Sequence, residues 1–351
     1  MMTKAPAFVS PKATSDRNLR SCSMRTPYVR PFLLAAILVL TGTGALPAAA
    51  QSGSATTFSF LRLAPSARAA SLAGAFSAVY DEDVNALFYN PALLNPDMHR
   101  TLSVTYLNHL GGIHAGFVSH ARHWEGIGTL GAGLRYVTWG NIDGYDATGN
   151  ATESFGANDA ALTASWARAH DERLRYGANL HAAFSRIETA SASAFAADAG
   201  VLYHFSEQQL ALSASVHNIG IVVDALGSSR DTLPLDLRIG VSKRLRHLPL
   251  LIALSGYNLN RIGEESEGRN AVSGVLRHVA LGWEFFFSDA FRLRLGYNHR
   301  QHQDLKMKNR LDLAGVGVGC GIRVASFRFD YAFNSWSTLG GLHQITVRTS
   351  I

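Results

Sequence analysis

Histidine is the residue type in this chain that could most readily do chemistry, because fourteen histidines among 351 residues offer many potential metal ligands and bases. Their spacing does not favour a metal site. His120 and His123 are three residues apart at the end of a predicted strand, so their side chains should point to opposite faces. His299 and His302 lie at the edge of and within a predicted long loop and could meet, but solvated side chains are the simpler interpretation. With no His-Glu-x-x-His motif and no Cys-x-x-Cys motif in the sequence, we expect neither a metal ion nor a cofactor.

Nucleophilic catalysis is not indicated either. No serine occupies the centre of a Gly-x-Ser-x-Gly elbow, the motif that holds the nucleophile of an α/β-hydrolase. Of the two cysteines, Cys22 falls in a segment that we predict to be cleaved off, and Cys320 lies on the apolar face of a predicted strand. A single cysteine forms no intramolecular disulfide and serves there as a small hydrophobic residue. We therefore expect a protein that is not an enzyme.

Four charged residues of the N-terminal region call for an explanation: Arg68, Asp81, Glu82 and Asp83. If they are buried, they must be paired, because an isolated buried charge is very costly. Arg292 and Arg294 alternate with apolar residues on one predicted strand and are candidate partners for the acidic run. We favour this structural interpretation over the alternative, in which the charges form a docking surface or a gate.

Residues 101–351 contain fourteen segments in which apolar and polar residues alternate, as in strands whose two faces meet different surroundings. Tight turns of two to five residues alternate with connections that are mostly longer, of which the longest are 139–155, 218–235, 259–275 and 300–310. Among this second set, 110–111 is short, and 187–192 and 335–340 are intermediate in length. One rim of tight turns and one rim of long loops are typical of a barrel in a bacterial outer membrane. The sequence therefore predicts an all-β protein, a fourteen-stranded antiparallel transmembrane β-barrel. Both ends of the barrel domain should lie on the tight-turn side, which is the periplasmic side in such barrels.

The apolar rows of the predicted strands carry aromatic residues near their ends. In strand 193–205 the row runs from Phe195 to Tyr203 and Phe205, and strand 326–334 repeats this pattern. Aromatic residues are expected where a barrel meets the two membrane interfaces. A soluble β-sandwich would also show alternation, but it would not require the regular loop pattern or the aromatic row ends. These two features favour the barrel.

The predicted strand 311–322 carries four glycines on one face: Gly315, Gly317, Gly319 and Gly321. A strand face without side chains allows another segment to approach the backbone closely. We interpret these glycines as lumen-facing positions beside a plug. The alternative is a tight bend in the wall of a small barrel.

Residues 1–50 are predicted to be a signal peptide. Arg25 and Arg30 precede the apolar run 32–40, which is too short to span a membrane as a helix, and small residues at 47–50 provide a cleavage site. Met24 would begin a signal of ordinary length and is a possible true start. Removal of this segment takes away six basic residues and one acidic residue, which leaves 26 basic and 25 acidic residues of the original 32 and 26. The formal charge of +6 is therefore no reason to expect a nucleic-acid partner.

Residues 51–100 are predicted to form an N-terminal hatch or plug segment in the lumen of the barrel at 101–351. The segment lacks strand alternation over most of its length, and Asn90 and Pro91 begin a turn signal. Three of its stretches, 61–70, 74–83 and 89–94, resemble the N-terminal hatch of the PorV/PorQ branch of FadL-like outer-membrane barrels.

Later segments resemble the PorQ family of the type IX secretion system in particular: 218–220, 233–245, 275–278 and 295–300. The resemblance covers nearly all of the chain after residue 50, and it implies a fourteen-stranded barrel, in agreement with the alternation. It also implies the partners of that system, which are a PorZ-like surface protein, a PorU-like sortase and a PorV-like barrel, besides outer-membrane lipid. The chain departs from many outer-membrane barrels in ending with Ile351 rather than an aromatic residue.

Three functions are compatible with these observations. The first, which the resemblance favours, is a non-enzymatic component of the type IX secretion system that anchors a cell-surface attachment complex through loops such as 139–155, 218–235 and 259–275. The second is a FadL-like channel for hydrophobic small molecules, which would need an apolar path or an opening in the wall, such as at the glycine-rich strand. The third is a PorV-like barrel that binds secreted cargo. Fold alone does not choose among them.

Overall fold

The computed structural model describes residues 56–146, 148–226, 231–266, 270–307 and 312–351, so the predicted signal peptide lies outside the described residues. The strands are β1 Thr101–Asn108, β2 His114–Trp124, β3 Gly128–Ile142, β4 Phe155–Ala169, β5 Leu174–Ile187, β6 Ala190–Phe205, β7 Leu210–Asp224, β8 Asp236–Arg244, β9 Leu250–Gly256, β10 Val279–Phe286, β11 Phe291–Asn298, β12 Val316–Val324, β13 Phe327–Ser335 and β14 Gly341–Ser350. The α-helices are α1 Ala67–Ser71, α2 Ile262–Ser266, α3 Ala271–Leu276 and α4 His299–Leu305. Short 3-10 turns span Thr57–Arg62, Val84–Phe88, Pro91–Leu93, Pro96–Met98, Leu110–Gly112, Leu259–Arg261 and Ser337–Leu339. Within the described ranges, no helix has the length and apolar character needed to cross a membrane.

The fourteen strands form one closed antiparallel barrel, as the sequence predicts. Each strand pairs with its neighbours along the chain, and β1 pairs with β14 from Thr101 opposite Ser350 to Asn108 opposite His343. The closure extends one residue further, because the backbone N–H of Ile351 donates a hydrogen bond to the carbonyl of Arg100 at 2.8 Å. A closed barrel leaves no unpaired sheet edge along most of its wall, which satisfies the backbone hydrogen bonds without water.

Strands β3 to β7 are longer than the others. They have 14 to 16 residues, whereas the remaining nine strands have 7 to 11. The tight turns hold the strands together at one rim, so the additional residues of these five strands extend this part of the wall on the long-loop side.

The prediction of a long loop from residue 218 is wrong in its first part. Strand β7 continues to Asp224 and pairs with β6, although it pairs with β8 only as far as His217. The register shifts opposite Ala197 to Ala199, where Asn218 adopts a left-handed conformation with φ of 59°. Asn218 therefore forms a β-bulge, in which one extra residue interrupts the pairing before the strand continues. A residue that suggests a turn in the sequence thus lies inside a strand.

The prediction that Gly315 belongs to a strand at 311–322 is also wrong, because β12 begins at Val316. Its φ is +77°, a conformation that favours glycine, and it belongs to a turn before the strand. The Gly315 N–H donates to the carbonyl of Ser335 at 3.1 Å, and its own carbonyl accepts from the N–H of Asn298 at 2.8 Å. Gly315 therefore lies in a turn that is hydrogen-bonded to the ends of β11 and β13, just before β12 begins.

The outer surface of the barrel carries many exposed apolar side chains. In β13 the outward row is Phe327, Phe329 and Tyr331, each exposed, while the alternate residues Arg328 and Asp330 are buried. The same alternation places Leu180 and Leu162 outward, with 67% and 57% of their surface exposed. Such a continuous apolar exterior is the arrangement of a membrane-spanning β-barrel.

Candidate functional site in the barrel lumen

The N-terminal segment, residues 56–98, lies inside the barrel. Its apolar residues are buried and form the main cluster with inward-facing wall residues: Leu72, Phe76, Val79, Leu87, Leu93, Leu94 and Met98 on the segment, and Ala121, Ala167, Leu202, Ala253 and Ala280 on the wall. Helix α1 begins after Ser66, whose hydroxyl accepts a hydrogen bond from the N–H of Ala69 at 3.4 Å, and it packs against β11 to β14. The wall is built of small residues where the segment is closest. A Cβ added at Gly177 would stand 2.7 Å from the Pro91 carbonyl group, and one added at Gly317 would stand 2.8 Å from the carbonyl oxygen of Ala70.

Arg68 connects the N-terminal segment to the wall. Its side chain is fully buried and binds three carboxylates: Asp81 at 2.6 Å, Glu284 of β10 at 2.6 Å and Asp83 at 3.3 Å. The guanidinium also lies 5.3 Å from the ring centroid of Phe76. Because Arg68 donates to both oxygens of Asp81 and to both oxygens of Glu284, the pairs are bidentate, the geometry in which arginine binds carboxylates most strongly.

Further ion pairs extend this arrangement into a network of five arginines and five acids. The remaining pairs are Arg294–Glu284 at 2.8 Å, Arg294–Asp330 at 2.6 Å, Arg348–Asp83 at 2.7 Å, Arg328–Glu82 at 2.6 Å and Arg292–Glu284 at 3.9 Å. The charges balance, as buried ionic groups require. Glu284 lies two residues before the end of β10, and Arg292 is the second residue of β11, so the network is near the tight-turn rim. We call it the lumen network.

Acidification is expected to weaken the lumen network. Burial alone would raise the pKa of Asp81 and Asp83, but Arg68 beside Asp81 and Arg348 and Arg68 beside Asp83 outweigh it and hold both pKa values below the ordinary value for aspartate. Such carboxylates stabilise the folded protein fully above their unfolded pKa of about 4, and this stabilisation is lost as the pH falls through the lower folded pKa. The free energy of unfolding should therefore decrease below pH about 4, and Asp81→Asn should make that decrease shallower. Unfolding of wild type, Asp81→Asn and the exposed control Asp97→Asn across this pH range tests the prediction, and an unchanged slope in Asp81→Asn would contradict it.

A second polar cluster surrounds Asp198 of β6. Its carboxylate accepts from Asn179 at 2.9 Å and lies 2.8 Å from the Nε2 atom of His181 and 3.1 Å from the Nδ1 atom of His217. The other carboxylate oxygen accepts from the backbone N–H of Asn218 at 2.8 Å, so Asp198 also holds the bulge of β7. Despite these two histidines, the described part of the chain contains no group of three or more His, Cys, Asp or Glu residues that could hold a metal ion.

On the long-loop side of the lumen, the N-terminal segment forms the floor of a cavity of about 510 Å³. The wall comes from the strand ends nearest that rim, including Leu107 of β1, Asp236 of β8 and Asn298 of β11. Helix α4 contributes Arg300 and Asp304. The cavity and the lumen network therefore lie towards opposite rims, with the buried residues of the N-terminal segment between them.

The structure brings most of the predicted site residues together, although not in the predicted pairs. Arg68, Asp81 and Asp83 contact each other directly, whereas Arg292 and Arg294 bind Glu284, a residue that is not among the predicted site residues. Asn90 and Pro91 begin a turn, as the sequence predicts: Pro91–Leu93 is a 3-10 turn, and the Asn90 side chain accepts a hydrogen bond from the N–H of Ala92 at 2.9 Å. The turn is buried against the wall. The Asn90 amide donates to the carbonyl of Val201 at 3.3 Å.

Gly317 and Gly319 face α1, where Cβ atoms would meet Ala70 and Ser71. Two network residues that were not predicted from the sequence, Glu284 and Asp330, lie at inward-facing positions of their strands. Glu284 shares the inward face of β10 with Ala280 and Gly282, and Asp330 shares that of β13 with Arg328 and Ala332. Their position between apolar outward neighbours is the signal that could have identified them.

The comparisons with known proteins identify the fold. No protein-family model matches the chain, and no curated protein matches it. Solved structures do: the toluene transporter TbuX of Ralstonia pickettii has a TM-score of 0.53 at 12% identity, covering 84% of this chain and 100% of that one. The CymD monoaromatic hydrocarbon channel has the same TM-score and identity, covering 84% of this chain and 99% of that one. The Pseudomonas putida toluene transporter TodX has a TM-score of 0.50 at 12% identity, covering 80% of this chain and 95% of that one. These neighbours are FadL-like fourteen-stranded barrels, so the likeness establishes the architecture of this chain.

Proposed function

We propose that this protein is an integral outer-membrane barrel that anchors a cell-surface attachment complex of the type IX secretion system and does not conduct solutes. The observation that supports this most is the filled lumen. The N-terminal segment occupies the interior with fully buried apolar residues, and Arg68 joins it to β10 through a bidentate ion pair. A barrel closed in this way offers a rigid base for loops, and the resemblance to the PorQ family supplies the identity of the complex.

The orientation in the membrane follows from the same proposal. The exposed apolar exterior requires a lipid environment, and both ends of the barrel domain lie at the tight-turn rim. That rim faces the periplasm in bacterial outer-membrane barrels, which puts the termini there and the extended wall of β3 to β7 at the cell surface. The partners are then a PorZ-like surface protein, a PorU-like sortase and a PorV-like barrel.

A FadL-like channel for hydrophobic small molecules is the second candidate. Two observations favour it: the structural neighbours carry the titles of toluene and monoaromatic hydrocarbon channels, and a cavity opens above the N-terminal segment. This function requires the segment to move, since its apolar residues fill the space below the cavity. A PorV-like role in binding secreted cargo would use the same surface loops.

Affinity purification distinguishes these functions. The tagged full-length protein is extracted from outer membranes in mild detergent, and proteins and small molecules that co-purify are identified by mass spectrometry. Recovery of a PorZ-like surface protein together with a sortase-like peptidase is the expected result. Recovery of the barrel alone with an apolar ligand would instead establish the channel, and recovery of secreted cargo would establish the cargo-binding role.

A matched pair of variants shows whether the surface loops make the contact. Tyr145 has 66% of its surface exposed in the connection between β3 and β4, at the long-loop rim. Ile127 has 54% exposed in the tight turn between β2 and β3, at the opposite rim. Tyrosine is frequent among the residues that dominate protein interfaces, so Tyr145→Ser should reduce recovery of the surface partner while Ile127→Ser leaves it unchanged.

A further inference from the structure

The lipid-facing wall carries two arginines near the tight-turn rim whose charges are not paired. Arg122 of β2 and Arg168 of β4 are exposed, and both occupy outward-facing positions of strands whose alternate residues are buried. Among the described residues, neither side chain has an ion-pair or hydrogen-bond partner. By contrast, Lys243, which faces outward at the same rim, donates to the carbonyl of Gln208. Unpaired cations on a lipid-facing surface point to an anionic group that the membrane supplies.

The two arginines are close enough to bind one head group together. Strand β3 lies between β2 and β4, so the two side chains leave the wall about 10 Å apart across the strands. The register places Arg122 opposite Leu130 and Leu130 opposite Trp166. Arg168 therefore lies two residues further along β4, a shift of about 7 Å towards the rim. Extended arginine side chains can meet across this separation at a single phosphate, a group that arginine binds through parallel hydrogen bonds.

Aromatic rings flank the arginine pair, as they do where a barrel meets a membrane interface. The guanidinium of Arg122 lies 5.0 Å from the ring centroid of Trp124. The indole N–H of Trp166 donates to the carbonyl of Ile127 at 3.0 Å, and its ring lies 5.5 Å from that of Tyr176 in an edge-to-face arrangement. Tryptophan and tyrosine on the outer surface of a barrel mark the depth of the lipid head groups. The two arginines are therefore at the depth where lipid phosphates lie.

The surroundings of the pair fit the rest of a phospholipid. Towards the middle of the wall the outward positions of β3 and β4 are apolar, and Leu134 and Leu162 are exposed there as a surface for acyl chains. The acidic residues of the two adjoining tight turns are Glu125, Asp171 and Glu172. Within the described part of the chain, none of them forms an ion pair with either arginine. The acids lie beyond the strand ends, so the two guanidinium groups remain available to a lipid.

We propose that Arg122 and Arg168, together with Trp124 and Trp166, form a binding site for an anionic phospholipid of the periplasmic leaflet. The arginines bind the phosphate, the indole rings border the head group, and the acyl chains lie along the apolar row that begins at Leu130. A zwitterionic phospholipid is the poorer ligand, because its own ammonium group offsets the charge of its phosphate. The choice of leaflet rests on the orientation in the proposed function, whereas the lipid preference does not depend on the type IX partners.

Native mass spectrometry of the purified full-length protein measures this preference. The protein in detergent is mixed with equal amounts of phosphatidylglycerol and phosphatidylethanolamine that carry the same acyl chains, and the lipids that remain bound are counted. We expect phosphatidylglycerol to be retained about tenfold or more over phosphatidylethanolamine, since one basic residue at an anionic lipid surface contributes about fivefold. The double variant with Arg122→Gln and Arg168→Gln should lose the preference, and Arg168→Gln alone should lower it about threefold to fivefold.

The variants are chosen so that folding is preserved. Arg168 has no side-chain partner among the described residues, and Arg122→Gln removes only the contact with the ring of Trp124. Arg323→Gln, at an exposed arginine beside the tight turn after β12, makes the same change of charge elsewhere at this rim and should bind like wild type. Equal retention of the two lipids by the wild type would overturn the proposal. So would an unchanged preference in the double variant, or an equal loss of preference in Arg323→Gln.

Discussion

Replacement of Arg68 by methionine is expected to lower the free energy of unfolding by about 3–5 kcal/mol. Methionine fills a similar length of side chain, so the loss comes mainly from the charge. The substitution would leave Asp81, Asp83 and Glu284 with one shared cation fewer, and Glu284 is fully buried. Removing one partner of a buried ionic group is far more destabilising than removing the group as a whole, because the remaining charges are uncompensated.

Urea unfolding in lipid vesicles, followed by tryptophan fluorescence, measures this effect, and the chain has five tryptophans. Arg323→Met is the matched control. That arginine is exposed and has no ion pair among the described residues, so its replacement should change the free energy of unfolding by about 0.5 kcal/mol or less. Glu284→Gln in the Arg68→Met background should restore part of the loss, because it removes one uncompensated carboxylate. A loss below about 1 kcal/mol in Arg68→Met would show that the network is not a principal connection between the N-terminal segment and the wall.

Gly296→Ala is expected to expel or distort the N-terminal segment and to lower the free energy of unfolding by about 1–3 kcal/mol. Gly296 faces inward on β11, and an added Cβ would stand 2.7 Å from the Cα atom of Leu72 and closer still to the Leu72 carbonyl carbon and the Ala73 nitrogen. These are backbone atoms, which cannot move aside as the end of a flexible side chain can. The φ of Gly296 is not positive, so the whole effect comes from the close approach.

The control for this prediction has the opposite expected sign. Gly116 of β2 has no atom within 4 Å of an added Cβ, and an alanine in a strand loses less backbone entropy on folding than glycine does. Gly116→Ala should therefore be neutral or stabilising by up to about 1 kcal/mol. Limited proteolysis in vesicles gives a second measurement, in which cleavage within residues 56–98 should be faster in Gly296→Ala. Equal stability and equal cleavage in the two variants would show that the segment does not depend on this contact.

Local patterns in the sequence were sufficient for the barrel. Side-chain alternation has a period of two residues, and turn lengths follow from Gly, Asn and Asp positions, so both can be recognised without knowing what lies across the lumen. The errors arose at residues whose type is compatible with two different local structures. Asn218 suggests a turn but forms a bulge inside β7, and Gly315 continues the alternation of glycines but belongs to the turn before β12.

The sequence by itself determined the strand count, the alternation of the two strand faces and some of the charges that needed partners, among them Arg68 and the acidic run at 81–83. Only the tertiary structure decided which charges meet. Arg68 binds Glu284 across 216 residues of sequence, and Asn334 donates to the carbonyl of Ala70 across 264. The residues that line the long-loop cavity come from elements as distant in sequence as the N-terminal segment, β3 and the connections after β9 and β13. Barrel closure and strand register bring such distant residues together, and neither is encoded in the spacing of any single stretch.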